Sequence, residues 1–254
     1  MKKNFLIACM AVFLCVAVAG CAGNRNMAVQ DAEEDIYDPM ENMNRTVFNL
    51  NDSLDRAIAD PLARGYRAIT PEFVRNGVRN FLRNLRSPVN LANQVLQGDI
   101  EGAAGDVTRF AMNTTIGIGG LFDVAADTGL EYEYEDFGQT LGVWGVDHGP
   151  YLVLPVMGPS SLRDSTGLLV DTVADPVRIY LYNTHNEEWY YARSGATALD
   201  KREELLDVID DLRKNSFDYY AAIRSAYMQK RAALVKDDNP DILTGASIPD
   251  YDDE

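Results

Sequence analysis

Cysteine is scarce and confined. The three cysteines of this 254-residue chain stand at positions 9, 15 and 21. Past residue 21 no thiol can act as a nucleophile, close a disulfide or hold a metal. Histidine is nearly absent: His148 and His185 show neither H-x-x-x-H nor H-x-x-E-H spacing, a poor basis for a zinc site. No serine lies in a G-x-S-x-G turn, and acid pairs such as Asp210-Asp211 fit a solvated helix face better than a glycosidase pair. The expectation is therefore a non-enzyme, with no catalytic residue, no metal and no cofactor. Positive charge is in deficit, 23 Lys and Arg against 39 Asp and Glu, a net charge of −16. That balance argues against nucleic acid as a partner. Beyond residue 18 no apolar run is long enough to span a membrane, and strand-like alternation is too rare for a transmembrane barrel. No internal repeat is visible.

What is present begins with a targeting signal. Lys2 and Lys3 precede an uncharged apolar run from Phe5 to Val18, followed by Val18-Ala19-Gly20-Cys21. Residues 1–20 read as a lipoprotein signal peptide, cleaved before Cys21. Cys21 would carry S-diacylglycerol and an N-acyl chain. Each buried methylene contributes about 0.8 kcal/mol, so three chains make a lasting anchor. Ala22, where an Asp would favour retention at the inner membrane, points to the outer membrane of a Gram-negative cell. Loss of Lys2 and Lys3 takes the net charge to −18. Residues 21–37 read as an acidic tether, residues 38–236 as one helical domain, and residues 237–254 as a disordered acidic tail.

The domain reads as mainly α. Asp38-Pro39-Met40-Glu41 predicts a helix start, with Asp38 as N-cap. The stripe Met40, Met43, Val47, Leu50, Leu54 and Ile58 predicts a face against a core, and Asp60-Pro61 predicts its end. Arg64 to Arg86 holds six arginines against one acid, Glu72. Arg75, Arg79, Arg83 and Arg86 fall on one helical face, which can meet anionic headgroups or pair with acids of neighbouring helices; both readings stand. Ser87-Pro88 predicts a break, Gly98 an end, and Asp99 a new cap. Gly117, Gly119 and Gly120 lie among Ile116, Ile118, Leu121 and Phe122, as in a hinge, a channel loop or a plain tight turn. Residues 127–136 read as a solvated connection.

The stretch from Phe137 to Gly167 is the least ordinary. Glycines and prolines exclude a long helix, yet Leu141, Val143, Trp144, Val146 and Tyr151 to Leu154 are apolar. Such a segment either plugs a helical core or lines a cavity or lipid path; Trp144, Tyr151, Leu152 and Leu154 are the candidate wall residues. Ser161, with Asp164 three residues on, predicts a helix cap. The aromatics Tyr180, Tyr182, Trp189, Tyr190 and Tyr191 suit a membrane interface or a packed corner equally. A helical pattern runs from Leu199 to about Val235, with a candidate break at Asn215-Ser216.

Several segments resemble the MlaA (VacJ) family of outer-membrane lipoproteins. They include Asp38-Pro39-x-Glu41-x-x-Asn44-Arg45-x-x-Phe48-Asn49, Leu96-Gln97-Gly98-Asp99, Thr108-Arg109-Phe110 with Asn113-Thr114, and Gly117-x-Gly119-Gly120-x-x-Asp123. Further matches are Phe137-Gly138-x-Thr140-Leu141-Gly142-x-Trp144-Gly145, Leu154-Pro155-x-x-Gly158-Pro159-Ser160-x-Leu162-Arg163-Asp164, and Ser216-x-Asp218-x-Tyr220 before Arg224-x-x-Tyr227. Met40 and Asn42-Met43 depart from the family's usual residues after Asp-Pro. The resemblance implies a ring of amphipathic helices around a central channel, with irregular Gly/Pro-rich connections, lying in the periplasmic leaflet. It implies retrograde removal of mislocalised phospholipid from the outer leaflet, transfer to a periplasmic carrier, and association with trimeric porins. A passive envelope scaffold, or a lipid or peptidoglycan hydrolase, are the alternative classes.

Overall fold

The computed structural model describes residues 36–237. The signal peptide, Cys21, most of the tether and the tail from 238 lie outside the described residues. Helix α1 (Glu41–Leu54) begins after Met40 with no side-chain cap. Asp38 is not the predicted N-cap. Its carboxylate instead accepts bonds from Asn44 Nδ2 (2.8 Å), Arg224 Nη1 (2.8 Å) and the Tyr220 hydroxyl, tying the start of the chain to the last helix.

Asp60-Pro61 does not end the helix. A π turn (Asp55–Ala59) leads straight into α2 (Asp60–Ile69), and the Asp60 N–H reaches back five residues to the Asp55 carbonyl. The wider turn makes room for the Pro61 ring, which in an α-helix would meet the carbonyl four residues back. Three arginines hold this turn: Arg202 and Arg213 bind Asp55, and Arg202 also binds Asp60 together with Arg64. Helix α3 (Glu72–Gln97) likewise runs through Pro88, against the predicted break. Residues on both sides are pinned: Asn84 bonds to Thr114 and Gly119, Asn90 to Glu133, and Asn93 to Asp171. Tertiary bonds here override local propensity.

The predicted signals at the next boundary hold. Gly98 ends α3 in the left-handed region (φ 84°), and the Asp99 carboxylate caps α4 (Ile100–Thr115) from the Gly102 N–H. After a glycine turn and an irregular segment comes the short α5 (Phe137–Val143). A hairpin of β1 (Tyr151–Leu154) and β2 (Gly158–Ser161) follows, antiparallel with Tyr151 opposite Ser161 and Leu154 opposite Gly158. Ser161 caps α6 (Leu162–Ala174) through the Asp164 N–H, as predicted. Then come α7 (Pro176–Asn183), α8 (Glu187–Glu204), α9 (Leu206–Asn215) and α10 (Tyr219–Val235). The break after Asn215 is present, and a second one falls at Leu205. The fold is mainly helical and forms one domain.

One apolar cluster anchors it. Tyr151, Val153 and Tyr220 are buried, with Val47, Phe48, Tyr227 and Met228 packed around them. The Phe48–Tyr220 and Tyr151–Tyr220 rings meet edge to face at 5.4 and 6.1 Å. Elsewhere the partition is inverted. Asn44, Asn90, Asn93, Gln94, Gln139 and Thr140 are buried. Met43, Leu50, Ile58, Ile69, Phe73, Ile116, Phe122 and Leu169 are exposed. The α1 stripe that the sequence assigns to a core mostly faces outward, and the flank of the stripe, where Val47 packs on the cluster, buries Asn44 instead.

That exchange has a reason. β1 has β2 on one edge only, and α1 covers the other. Asn44 Nδ2 donates to the Tyr151 carbonyl (3.0 Å) while its Oδ1 accepts from the Val153 N–H (3.0 Å). Seven residues on, Asn51 does the same for the Leu154 carbonyl (2.9 Å) and the Val156 N–H (2.8 Å). A buried strand edge needs partners for its polar groups, and an amide carries both a donor and an acceptor.

Candidate functional site

The irregular segment before α5 is wrapped by amides from α3. Asn90, Asn93, Gln94 and Gln97 lie at i, i+3, i+4 and i+7, one face of the helix. Asn90 Nδ2 donates to the Glu133 carbonyl (2.7 Å), Gln94 to the Glu133 carboxylate (3.2 Å) and Gln97 to the Glu135 carboxylate (2.6 Å). Residues 127–136 are solvated only in part: Asp127, Thr128, Gly129, Glu131 and Glu133 are exposed, but Glu135 is 4% exposed. Burial first, then neighbouring acids, push its carboxyl up to about 8, against the bond from Gln97. Asp106 on α4 is raised to about 7 by burial and by Glu133. The sequence signal was the amide spacing itself, a polar stripe that only a buried backbone or other polar groups can satisfy.

The basic face divides. Arg75 and Arg79 do not meet solvent as a headgroup face; they converge on α8. Arg79 binds Asp200 (3.2 Å) and Glu203 (3.0 Å), and Arg75 and Arg67 reach the same Glu203 at 3.2 and 2.8 Å. Glu203 is 3% exposed, so three arginines surround one buried carboxylate. Pairing with acids of a neighbouring helix, the plainer reading of these two, is what the structure holds. Arg83 and Arg86 differ. Among the described residues Arg83 pairs with the exposed Glu204 at 3.6 Å and lies 4.8 Å over the Tyr132 ring. Arg86 lies 4.4 Å over the Tyr134 ring and donates to the Glu135 carbonyl (2.9 Å), with Asp171 at 3.7 Å.

The glycine turn is closed rather than slack. Gly117 has no room for a side chain, since a Cβ would fall 2.2 Å from the Phe122 carbonyl oxygen, and Gly120 (φ 93°) presses against Asn84. Gly119 (φ 71°) has open space around it. The apolar residues of the turn, Ile116, Ile118, Leu121 and Phe122, are all exposed. Beneath it Asp123 receives both Nη2 contacts of Arg109 and the Asn113 amide. These hold its carboxyl below the usual range although burial acts the other way.

Of the candidate wall residues, Trp144 is 52% exposed and donates from Nε1 to the Leu96 carbonyl (2.9 Å). Leu152 and Leu154 are half-buried. Tyr151 is 0% exposed and belongs to the aromatic core, so it lines no open path. α10 pins this region. Arg231 forks onto Asp136 (2.6 and 3.0 Å) and reaches Asp164 (2.9 Å), and the Tyr227 hydroxyl donates to Asp164 (2.6 Å). Gly138 lies in this fork and touches Gly167, whose Cβ would fall 2.2 Å from the Gly138 nitrogen. Small residues there let α5 and α6 cross at backbone contact. Among the described residues no group of His, Asp and Glu is arranged to hold a metal ion, and no helix is long and apolar enough to cross a membrane.

A family model described as MlaA lipoprotein matches residues 36–234, nearly all of the helical domain. The chain belongs to the MlaA family. A Rickettsia prowazekii protein is 42% identical over 80% of this chain and 79% of its own length. The Escherichia coli (strain K12) protein named intermembrane phospholipid transport system lipoprotein MlaA is 36% identical over 76% of each chain. Its namesake from Haemophilus influenzae is 32% identical over 94% of each. A chain solved in work on the structural basis for maintenance of bacterial outer membrane lipid asymmetry superposes with a TM-score of 0.68. It is 37% identical and covers 78% of this chain and 98% of its own. In this MlaA chain the Asp38, Asn44, Asp164 and Arg224 motif residues now have a physical role: they join the first helix, the hairpin and the last helix.

Proposed function

We propose that this chain is the outer-membrane lipoprotein of an intermembrane phospholipid transport system. Anchored through Cys21 in the periplasmic leaflet, it withdraws mislocalised phospholipid from the outer leaflet and hands it to a periplasmic carrier, so that transport is retrograde and lipid asymmetry is maintained. Phospholipid is cargo and no cofactor is needed; the helices ring a channel, and trimeric porins are its partners in the membrane. The observation that carries the reading is the inverted partition. Soluble domains rarely expose this many large apolar side chains over a core of amides and ion pairs, and with no spanning helix among the described residues the surrounding lipid is met from the side. In this reading Trp144, Leu152 and Leu154 border the lipid path, and the Gly117–Gly120 turn is its moving part, with Gly119 the free position.

Mass spectrometry of lipid that co-purifies with the full chain in mild detergent tests it. Intact phospholipid, released to a periplasmic carrier on mixing, is expected. A lipid-free protein would leave a scaffold, and recovery of lysolipid or free fatty acid would indicate a hydrolase.

A further inference from the structure

Helix α6 carries its polarity inside out. Its three charged side chains are nearly buried, and each is paired. Arg163 binds Asp164 (3.0 Å), and Asp164 also receives Arg231 and the Tyr227 hydroxyl. Asp171 accepts from the Asn93 amide (3.1 Å) and the Phe137 N–H (3.0 Å). The exposed residues of the helix are Leu162, Thr166, Leu168, Leu169, Val173 and Ala174, none of them charged. Leu162, Leu169 and Val173 lie at i, i+7 and i+11, one line along the helix, and are 54%, 67% and 65% exposed. The threonine hydroxyls make no demand on water. Thr166 donates to the Leu162 carbonyl (2.9 Å) and Thr172 to the Leu168 carbonyl (2.7 Å).

This line ends at a joint of three helices. The buried Asp175 follows α6, caps α7 through the Val177 N–H (2.9 Å) and binds Arg193 of α8 (2.7 Å). Beyond the joint the surface changes in kind. Tyr190 meets Tyr182 and Tyr191 edge to face at 5.8 and 5.6 Å, and the Tyr182 and Tyr191 hydroxyls share a hydrogen bond (3.1 Å). The Arg178 guanidinium lies 4.7 Å over the Tyr182 ring. The rings touch one another, yet Tyr180, Trp189 and Tyr191 are each more than 60% exposed. His185, Glu187 and Glu188 stand in the same stretch, so polar groups gather at this end, while the outer side of α6 has no charge.

We infer that the outer side of α6 lies against acyl chains and that the α7–α8 aromatics sit at the headgroup boundary, so that the Leu162 end of α6 is the deeper one. Hydrocarbon offers no hydrogen bonds, and a surface facing it must satisfy its polar groups within the protein. The inward ion pairs and the back-bonded threonines meet that demand. Tyrosine and tryptophan, apolar in body and polar at the tip, belong where tails give way to water. From Leu162 to Val173 the helix advances about 16 Å, about half of a ~30 Å hydrocarbon core, which fits a single leaflet. A protein partner would need a polar rim to pair with, and the line along α6 has none. The inference rests on the membrane placement proposed above and adds which helix faces the lipid and which way it points.

No cysteine follows Cys21, whose thiol the lipid occupies in this reading, so a single introduced cysteine can be labelled alone. The test places a nitroxide on Leu162→Cys, Leu169→Cys, Val173→Cys, Tyr180→Cys and Trp189→Cys, one at a time. Each full, lipidated chain is reconstituted into vesicles of phosphatidylethanolamine and phosphatidylglycerol. All these positions are exposed, and circular dichroism checks that each variant is folded. Power-saturation electron paramagnetic resonance compares collisions with oxygen, which concentrates in hydrocarbon, and with a nickel chelate, which stays in water. The oxygen-to-nickel ratio is expected to be highest at Leu162→Cys and to fall severalfold through the 169 and 173 labels to those at 180 and 189. Nickel-dominated collisions along α6, an equal ratio at every position, or a rising one overturns the inference. So does dipolar broadening at the α6 labels, which would put a second copy of the chain on this face. Mass spectrometry of the same variants in detergent keeps the two readings apart. Bound phospholipid without a depth gradient overturns this inference alone; absence of bound phospholipid overturns the transport reading, and the gradient still decides the orientation.

Discussion

Asn44→Ala is the sharpest probe of how the fold is held. Asn44 is 0% exposed, and its amide pairs with the Tyr151 carbonyl and the Val153 N–H at 3.0 Å each. Removing it orphans two backbone groups of residues that are themselves 0% and 5% exposed, where water cannot replace the amide. Each unpaired buried group costs about 1–3 kcal/mol, so the pair costs about 4 kcal/mol, a large share of the ~5–15 kcal/mol that holds a domain. Asn51→Ala is the internal control. Its amide makes the same pair of bonds, but to Leu154 and to Val156, which is 83% exposed. Water replaces those bonds, and the loss is expected to stay below about 1 kcal/mol. Both changes sit in the same helix and alter helix propensity equally, so that contribution cancels in the comparison. Thermal unfolding of the detergent-solubilised chain, followed by near-ultraviolet circular dichroism, should show a drop on the order of 10 °C for Asn44→Ala and a few degrees at most for Asn51→Ala. Equal losses in the two variants would refute the account in which a side-chain amide stands in for a missing strand.

Glu203→Gln leaves Arg67, Arg75 and Arg79 around a neutral amide and should destabilise by about 3–5 kcal/mol in chemical denaturation; a loss under about 1 kcal/mol would mean the cluster is not energetically coupled. Glu135, raised from 4.5 to about 8, favours folding below about pH 4.5 and loses that contribution as pH rises toward 8, because the unfolded chain ionises first. Asp106, raised from 3.8 to about 7, acts in the same direction. Melting temperature should therefore fall between pH 5 and pH 8.5, and Glu135→Gln, which can still accept from Gln97, should flatten that fall by about 3–4 kcal/mol; an unchanged slope in the variant would contradict it. Gly117→Ala should disrupt the turn, lowering the melting temperature by several degrees, through its clash with the Phe122 carbonyl, whereas Gly119→Ala has space and meets only the strain of its φ of 71°, about 1 kcal/mol. If Gly119→Ala abolishes lipid release while the protein melts normally, movement of the turn is part of transport; unchanged release removes the turn from the path.

Local chemistry is legible in the residues alone. Gly98, the Asp99 cap and the Ser161 cap with Asp164 all stand where short-range hydrogen bonding requires them, and such signals depend only on neighbours in sequence. Which side of a helix faces in is not legible in the same way. The period of the α1 stripe gives a helix, but it does not say whether the medium beyond is protein, water or lipid, and here the apolar side faces out. Pro61 and Pro88 mislead for a related reason: a π turn clamped by Arg202 and Arg213, and an α3 pinned by Asn84, Asn90 and Asn93, are supplied by residues far along the chain. The arginine face is compatible with headgroup or acid binding; the acids of α8 take Arg75 and Arg79, while Arg83 and Arg86 lie over tyrosine rings.

The two amides of α1 have a further consequence, one of measure. Seven residues of helix advance about 10.5 Å, and three residues of strand advance about 10 Å. Asn44 and Asn51 are seven apart, and the β1 carbonyls they grip, those of Tyr151 and Leu154, are three apart. The helix and the strand thus work as a vernier whose marks coincide twice. Exposed residues between the marks are free to change in kind, but one residue inserted between 44 and 51 rotates the second amide by about 100° and withdraws it from the strand. Length in this interval therefore sets where the helix meets the end of β1, at an energetic cost that stays small because water can replace the second pair of bonds.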